Sequence, residues 1–211
     1  MYARDAKWQE SERSFRRAIE LNPNNSATRG DFAMYLLMVL GRFDEAIREL
    51  RIAERSDPLS AEIKYFLAFG LMLEGRYGEA ASYCANLPAD SRLKPECVGR
   101  TLLAQGRTTE AIQVMAELCC RGNRGYLGYA YARAGKTEEA RQLLGKLAPN
   151  PFNEALVYAG LGDKQGTLEA LERMAILGPV RVGRELAFPE FAAVRDDPRI
   201  YALRRRVGLP N

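Results

Sequence analysis

The sequence predicts an all-α fold: a right-handed superhelical solenoid of antiparallel helix pairs, about a dozen helices in all, closed by a C-terminal helical cap. Three observations predict it. A phrase, LGRFDEA at 40–46, returns as EGRYGEA (74–80), QGRTTEA (105–111) and AGKTEEA (134–140), and in worn form as LGDKQGT (161–167). Its glycines, Gly41, Gly75, Gly106, Gly135 and Gly162, lie 34, 31, 29 and 27 residues apart, the spacing of stacked helical hairpins. On either side of each phrase, apolar residues recur three or four apart, the period of a helix with one buried face.

Taken in order, the first unit (near 1–25) holds only the end of a hairpin. Trp8, Phe15 and Ile19 sit at helical spacing, but Met1 to Ala6 supply no more than the tail of a preceding helix. Residue 1 is therefore expected not to be the start of a natural domain, and this end is expected to fray or to self-associate. The second unit (26–60) pairs Phe32, Tyr35, Leu36 and Val39 with Ala46, Leu50 and Ala53. The third (61–91) pairs Phe66, Leu67, Leu71 and Leu73 with Ala80, Cys84 and Leu87. The fourth (92–120) places Ala111, Met115 and Leu118 on its second helix, the fifth (121–147) opens with YLGYAYARA, and the sixth (148–177) carries Thr167 where the others have alanine. The linkers LPADSRLKPE, CCRGNRG and LAPNPFN vary between these later hairpins. At 178 the chain changes character, and 178–211 is read as the cap. Pro189 and Pro198 stand where a first helical turn tolerates proline, and Phe188, Phe191, Val194, Ile200, Leu203 and Val207 are expected to cover the exposed face of the last hairpin.

The phrase itself reads as a turn. Its glycine takes the left-handed conformation that ends one helix, its acidic residues sit at the positive end of the next, and its small residue (Ala46, Ala80, Ala111, Ala140 or Thr167) lets the two helices approach.

With Leu37, Gly41, Phe43, Ala46, Leu50, Ala53 and Pro58 in one unit, and Leu67, Ala68, Leu71, Gly75, Tyr77, Ala80, Cys84 and Leu87 in the next, the chain resembles the tetratricopeptide repeat family over nearly its whole length. The stretches YLLMVLGRFDEAIRELRIAERSDPLS, ALVYAGLGDKQGTLEALERM and RDDPRIYALRRRVGLP are further similar to the C-terminal repeat region of bacterial signalling proteins with winged-helix, kinase or cyclase effector domains. That likeness implies a sensory or scaffolding module.

Composition excludes much chemistry. There is no histidine, so Ser-His-Asp, Cys-His and His-metal arrangements are ruled out, and an enzyme would need a site of carboxylates, Arg or Tyr. The GKT of AGKTEEA lacks both the upstream glycine and the strand of a phosphate loop, and GLGDKQG misplaces the third glycine of a dinucleotide fingerprint. No cofactor or metal is expected. Cys84, Cys97, Cys119 and Cys120 show no C-x-x-C spacing and read as reduced thiols, with Cys84 a small core residue. With no apolar run long enough to span a membrane and no leader-like start, the expected location is cytoplasmic. The net charge of +4 is spread along the chain. Only six of the 31 basic residues are lysine, a bias that fits anion recognition and genomic base composition alike. Arg204, Arg205 and Arg206 are the densest basic cluster; they suit a nucleic-acid contact or simply a solvated helix end, and no aromatic residues interleave them.

The resemblance implies a concave groove lined by the first helix of each hairpin. Carried over by register, the candidate partner-binding residues are Tyr35, Tyr65, Phe69, Arg100, Tyr129, Arg133 and Phe152. The Lys and Asn clamp that some family members use for acidic peptide tails is absent: Asp31, Tyr35, Tyr65, Phe66, Phe69 and Cys97 stand at those positions. The expected function is non-enzymatic: a scaffold or regulatory module that holds a peptide or protein segment of apolar and acidic character. The alternatives are a nucleic-acid-associated module acting through the C-terminal helix and an enzyme with a histidine-free site.

Overall fold

The computed structural model describes residues 2–116, 124–146 and 150–210. Cys119, Cys120 and Leu118 lie outside the described residues. Among those described, the chain forms thirteen α-helices and no strand. They are α1 (Trp8–Leu21), α2 (Ser26–Phe32), α3 (Phe43–Ser56), α4 (Ala61–Leu73), α5 (Tyr77–Ala85), α6 (Lys94–Ala104), α7 (Thr108–Ala116), α8 (Arg124–Arg133), α9 (Thr137–Lys146), α10 (Pro151–Leu161), α11 (Lys164–Arg173), α12 (Gly178–Leu186) and α13 (Pro198–Arg206). A π-helical stretch, Ala33–Leu37, prolongs α2. The even-numbered helices α2 to α10 each pack on the odd-numbered helix that follows, and successive even-numbered helices touch one another. The result is a helical-repeat solenoid whose inner face is built from α2, α4, α6, α8 and α10.

The turns explain the repeat. All five phrase glycines are left-handed, with φ of 74°, 72°, 75°, 76° and 74° in chain order. A Cβ on any of them would meet nothing within 4 Å, so the glycine is required by backbone conformation and not by crowding. In each turn the next amide reaches back five residues to close the helix end: Arg42 to Leu37, Arg76 to Leu71, Arg107 to Leu102, Lys136 to Tyr131 and Asp163 to Tyr158, at 2.8 to 3.0 Å. Three turns carry an additional clasp, in which the arginine after the glycine holds the glutamate three residues on. The pairs are Arg42–Glu45, Arg76–Glu79 and Arg107–Glu110, at 2.6 to 2.7 Å. Ala46, Ala80, Ala111 and Ala140 are fully buried at the crossings, and Thr167 is almost so, its hydroxyl donating to the Asp163 carbonyl at 2.7 Å.

Arg42 also joins neighbouring units, since its Nη1 lies 2.7 Å from Glu12 Oε2 on α1. Hydrogen bonds from Arg42, and then from Arg16, hold the Glu12 carboxyl down at about 2.

Two expectations are corrected. Cys84 and Cys97 are not reduced thiols: they form a disulfide between α5 and α6. The linker between these helices brings their ends together, with Cα atoms 5.4 Å apart, and Lys94 fastens it by donating to the Ala85 and Leu87 carbonyls. Cys84 is, as expected, a buried core residue. The C-terminal segment also takes a different course. Val194, Ile200 and Leu203 are buried where that segment packs on α10 and α11, but α12 runs back along the inner side of the solenoid to the first helices. There the Gly183 backbone lies against Val39, where a Cβ would stand 2.7 Å from the valine Cγ1. Trp8 is consequently not without a partner, because its indole Nε1 donates to the Gly208 carbonyl at 2.7 Å.

Gly75→Val is expected to lower the melting temperature, the left-handed conformation costing a β-branched residue about 1–3 kcal/mol. An unchanged melting temperature would contradict this turn. Reduction of the disulfide is expected to remove roughly 3 kcal/mol of stability, as for a loop of about this length. Alkylation of Cys84 and Cys97 in denaturant without reductant would show that the bond does not form.

Candidate functional site

The inner face is filled from within. After α12, Phe188 adopts an extended backbone and leads into a 3-10 turn over Pro189–Val194. Its ring enters the groove and meets Phe69 of α4 at 5.2 Å and Phe152 of α10 at 5.6 Å, both edge-on, with Tyr126 of α8 at 6.5 Å. Phe191 follows it against Phe152. The three rings that Phe188 meets come from three different hairpins, so the C-terminal segment ties together helices that are distant in sequence.

Arg100 on α6 stands in this aromatic cluster. Its guanidinium carbon lies 4.5 Å from the Tyr126 ring centroid, 4.6 Å from Phe188 and 5.3 Å from Phe69. Only 4% of the residue is exposed. The nearest carboxylate oxygen, Glu190 Oε1, is 3.9 Å from Nε, beyond hydrogen-bond reach. Among the described residues, Nε and Nη1 of Arg100 have no hydrogen-bond partner, and neither do Tyr126 Oη, Glu185 Oε2 and Glu190 Oε2. Burial raises the Glu96 carboxyl above its usual range, and the Tyr65 hydroxyl approaches it at 3.5 Å. Burial likewise pushes the Tyr65 and Tyr126 hydroxyls up, so both stay protonated at neutral pH.

The C-terminal segment divides the groove into two cavities. One, of about 210 Å³, is lined by Tyr35, Tyr65, Phe69, Arg100 and Phe152 together with Tyr126, Arg184, Glu185 and Phe188. The other, of about 190 Å³, is lined by Arg100, Tyr129 and Arg133 together with Tyr77, Thr108 and Glu190. All seven candidate residues thus border one cavity or the other, but not as an open row. Phe69, Arg100 and Phe152 are buried under the cap, Tyr65 and Tyr129 are partly buried, and Tyr35 and Arg133 are exposed. The groove is therefore not open along its whole length, because Phe188 and Phe191 pack into it.

Sequence reasoning passed over Tyr126, Arg184, Glu185 and Glu190 as site residues. Tyr126 was within reach, since it lies one helical turn before Tyr129 on the same helix. The other three belong to the cap, and only the path of α12 brings them to the groove.

At the far end of the cap, Arg204 donates to the Pro210 carbonyl and Arg206 to the Glu172 carbonyl. Two of the three clustered arginines are thereby engaged within the chain. Among the described residues, no group of three His, Cys, Asp or Glu side chains is placed to hold a metal ion, and no helix is long and apolar enough to cross a membrane.

Fold and groove together define a helical-repeat solenoid. Models of the tetratricopeptide repeat match residues 35–92 and residues 126–148, and the chain carries tetratricopeptide repeats over those residues. No curated protein matches it. Repeats of this family generally mediate protein–protein interaction, and its members are typically non-enzymatic.

Phe188→Ala is expected to destabilise the fold by about 3–5 kcal/mol, the cost of deleting a buried aromatic ring. Ile176→Ala, at an exposed position, is the control that should not. Equal melting temperatures for both variants and the unaltered protein would place Phe188 outside the core.

Proposed function

We propose that this protein is a non-catalytic interaction module that holds a peptide or protein segment on the part of the inner face left open by its own C-terminal segment. The observation that carries this reading is the state of the Tyr129 and Arg133 pair. Both line the second cavity, one turn apart on α8, with Arg133 exposed and Tyr129 partly so, whereas Phe69, Arg100 and Phe152 are covered. An aromatic ring supplies contact area at small entropy cost, and a guanidinium one turn away fixes direction by pairing with a carboxylate or a main-chain carbonyl. The partner segment is accordingly apolar with an acidic residue. The engagement of Arg204 and Arg206 within the chain speaks against the nucleic-acid alternative.

The cytoplasmic expectation rested on the lack of an apolar run long enough to span a membrane. The Cys84–Cys97 disulfide supports an oxidising compartment instead, since reducing compartments rarely keep such bonds.

Replacing Tyr129 and Arg133 together with Ala is expected to weaken capture of the partner by about 2 kcal/mol or more, with the melting temperature little changed. Partners recovered by affinity capture with the unaltered protein supply the assay. Full-strength capture by the folded double variant would move the site elsewhere.

A further inference from the structure

Among the described residues, no hydrogen bond joins residues 187–195 to the inner face that they cross. The amides of this stretch bond within it or to its immediate neighbour: Phe188 donates to the Glu185 carbonyl, Phe191 to Phe188 and Arg195 to Ala192. Its far end folds back on its start, with Arg195 Nη2 donating to the Ala187 and Phe188 carbonyls at 3.3 Å. The stretch is a strap held by apolar packing, led by Phe188 and Phe191 against Phe69, Tyr126 and Phe152, and by one ion pair, Arg100 to Glu190 at 3.9 Å. That pair leaves Arg100 Nε and Nη1 and Glu190 Oε2 buried without hydrogen-bond partners, and Tyr126 Oη beside them. The flanks are fastened differently. The backbone of α12 is seated against Val39, and α13 is held to α11 where Arg199 donates to both carboxylate oxygens of Glu172 at 2.7 and 2.8 Å. With both ends fixed, Glu190 stands short of hydrogen-bond distance from Arg100, and gaps of about 210 and 190 Å³ remain on either side of the strap.

We propose that residues 187–195 are a displaceable strap, and that the inner face beneath it is a docking surface for a partner segment carrying two aromatic residues with an acidic residue between them. The strap shows what this surface accepts. Its run Phe188-Pro189-Glu190-Phe191 sets two rings against Phe69, Tyr126 and Phe152 and a carboxylate towards Arg100. Apolar contact is non-directional, so one pair of rings exchanges for another without breaking a hydrogen bond of the solenoid. A segment free at both ends can close on Arg100 and make the charge-assisted hydrogen bond that the tethered glutamate does not. Because buried polar groups without partners are costly, that bond is the margin in the partner's favour. Against it stands the tether, which keeps the strap at an effective concentration on the order of millimolar. The surface is therefore covered when the partner is scarce and exchanged when it is abundant. It comprises the covered residues Phe69, Arg100 and Phe152, and does not rest on the open surface at Tyr129 and Arg133.

The test uses the full chain and, as probe, a labelled synthetic peptide of its own residues 186–195, LAFPEFAAVR. Adding the peptide to the unaltered chain is expected to speed amide hydrogen exchange roughly tenfold or more across 188–195, while the amides of α10, α12 and α13 keep their rates. Glu190→Gln, close in shape, removes the strap's ionic hold on Arg100, and this variant is expected to bind the peptide roughly tenfold or more tighter than the unaltered chain, read by fluorescence anisotropy. A second peptide with glutamine in place of its glutamate is expected to bind either chain roughly tenfold or more weakly than the first. Equal binding of the first peptide by the two chains, or equal binding of the two peptides, would overturn the proposal. A peptide held at Tyr129 and Arg133 instead would leave the strap amides at their original rates, and that result would overturn it too. The exchange measurement on the unaltered chain decides even if the variant fails to fold.

Discussion

Each hairpin of this protein depends on one residue occupying a backbone region that side chains resist. The left-handed glycine at 41, 75, 106, 135 and 162 sets where one helix stops and at what angle the next departs. Its spacing to the small residue five positions on, alanine in four turns and Thr167 in the last, then fixes which point of the second helix faces the first. Because the same geometry recurs, the first helices of successive hairpins adjoin and form a common inner face. The Arg–Glu clasp across three of the turns adds to this, although pairs so exposed contribute little each. Its value is chiefly in holding the entry direction of the second helix.

An inner face built this way is more apolar than a solvated surface needs to be, and the chain covers it with its own phenylalanines. Phe188 and Phe191 join Phe69, Tyr126 and Phe152 in one aromatic cluster. Arg100 inside that cluster is offset by ring faces and not by a hydrogen-bonded carboxylate. Cation–π contact compensates part of the lost hydration of a guanidinium, but its N–H groups still want oxygen acceptors. The cluster is thus stable as packing and incomplete as a polar network.

What was legible in the sequence is what repeats. The five glycine turns, the small residues at the crossings and the helical periodicity all follow from short-range backbone rules, and each appears where the phrase put it. The seven residues carried over by register border the two cavities for the same reason. What could not be read is what occurs once. No periodicity says whether Phe188 lies on the last hairpin or in the groove, since both are apolar; the answer depends on α12 passing close over Val39, which only a glycine at 183 permits. The disulfide was missed because Cys84 and Cys97 belong to different hairpins, joined by a linker without a recognisable turn signature, and sequence spacing alone carries no information on whether their Cα atoms come within bonding range. Arg184 and Glu185 were invisible as groove residues for the same reason as Phe188.

The hydrogen bond from Trp8 to Gly208 joins positions 200 residues apart. An open repeat array behaves as a line of springs, in which each unit feels only its neighbours and a disturbance at one end dies away within a unit or two. A contact between the first helix and the last residues of the cap turns that line into a buckled belt. Flexing the array outwards then has to part the buckle, and any change that loosens the buckle slackens every turn of the belt at once.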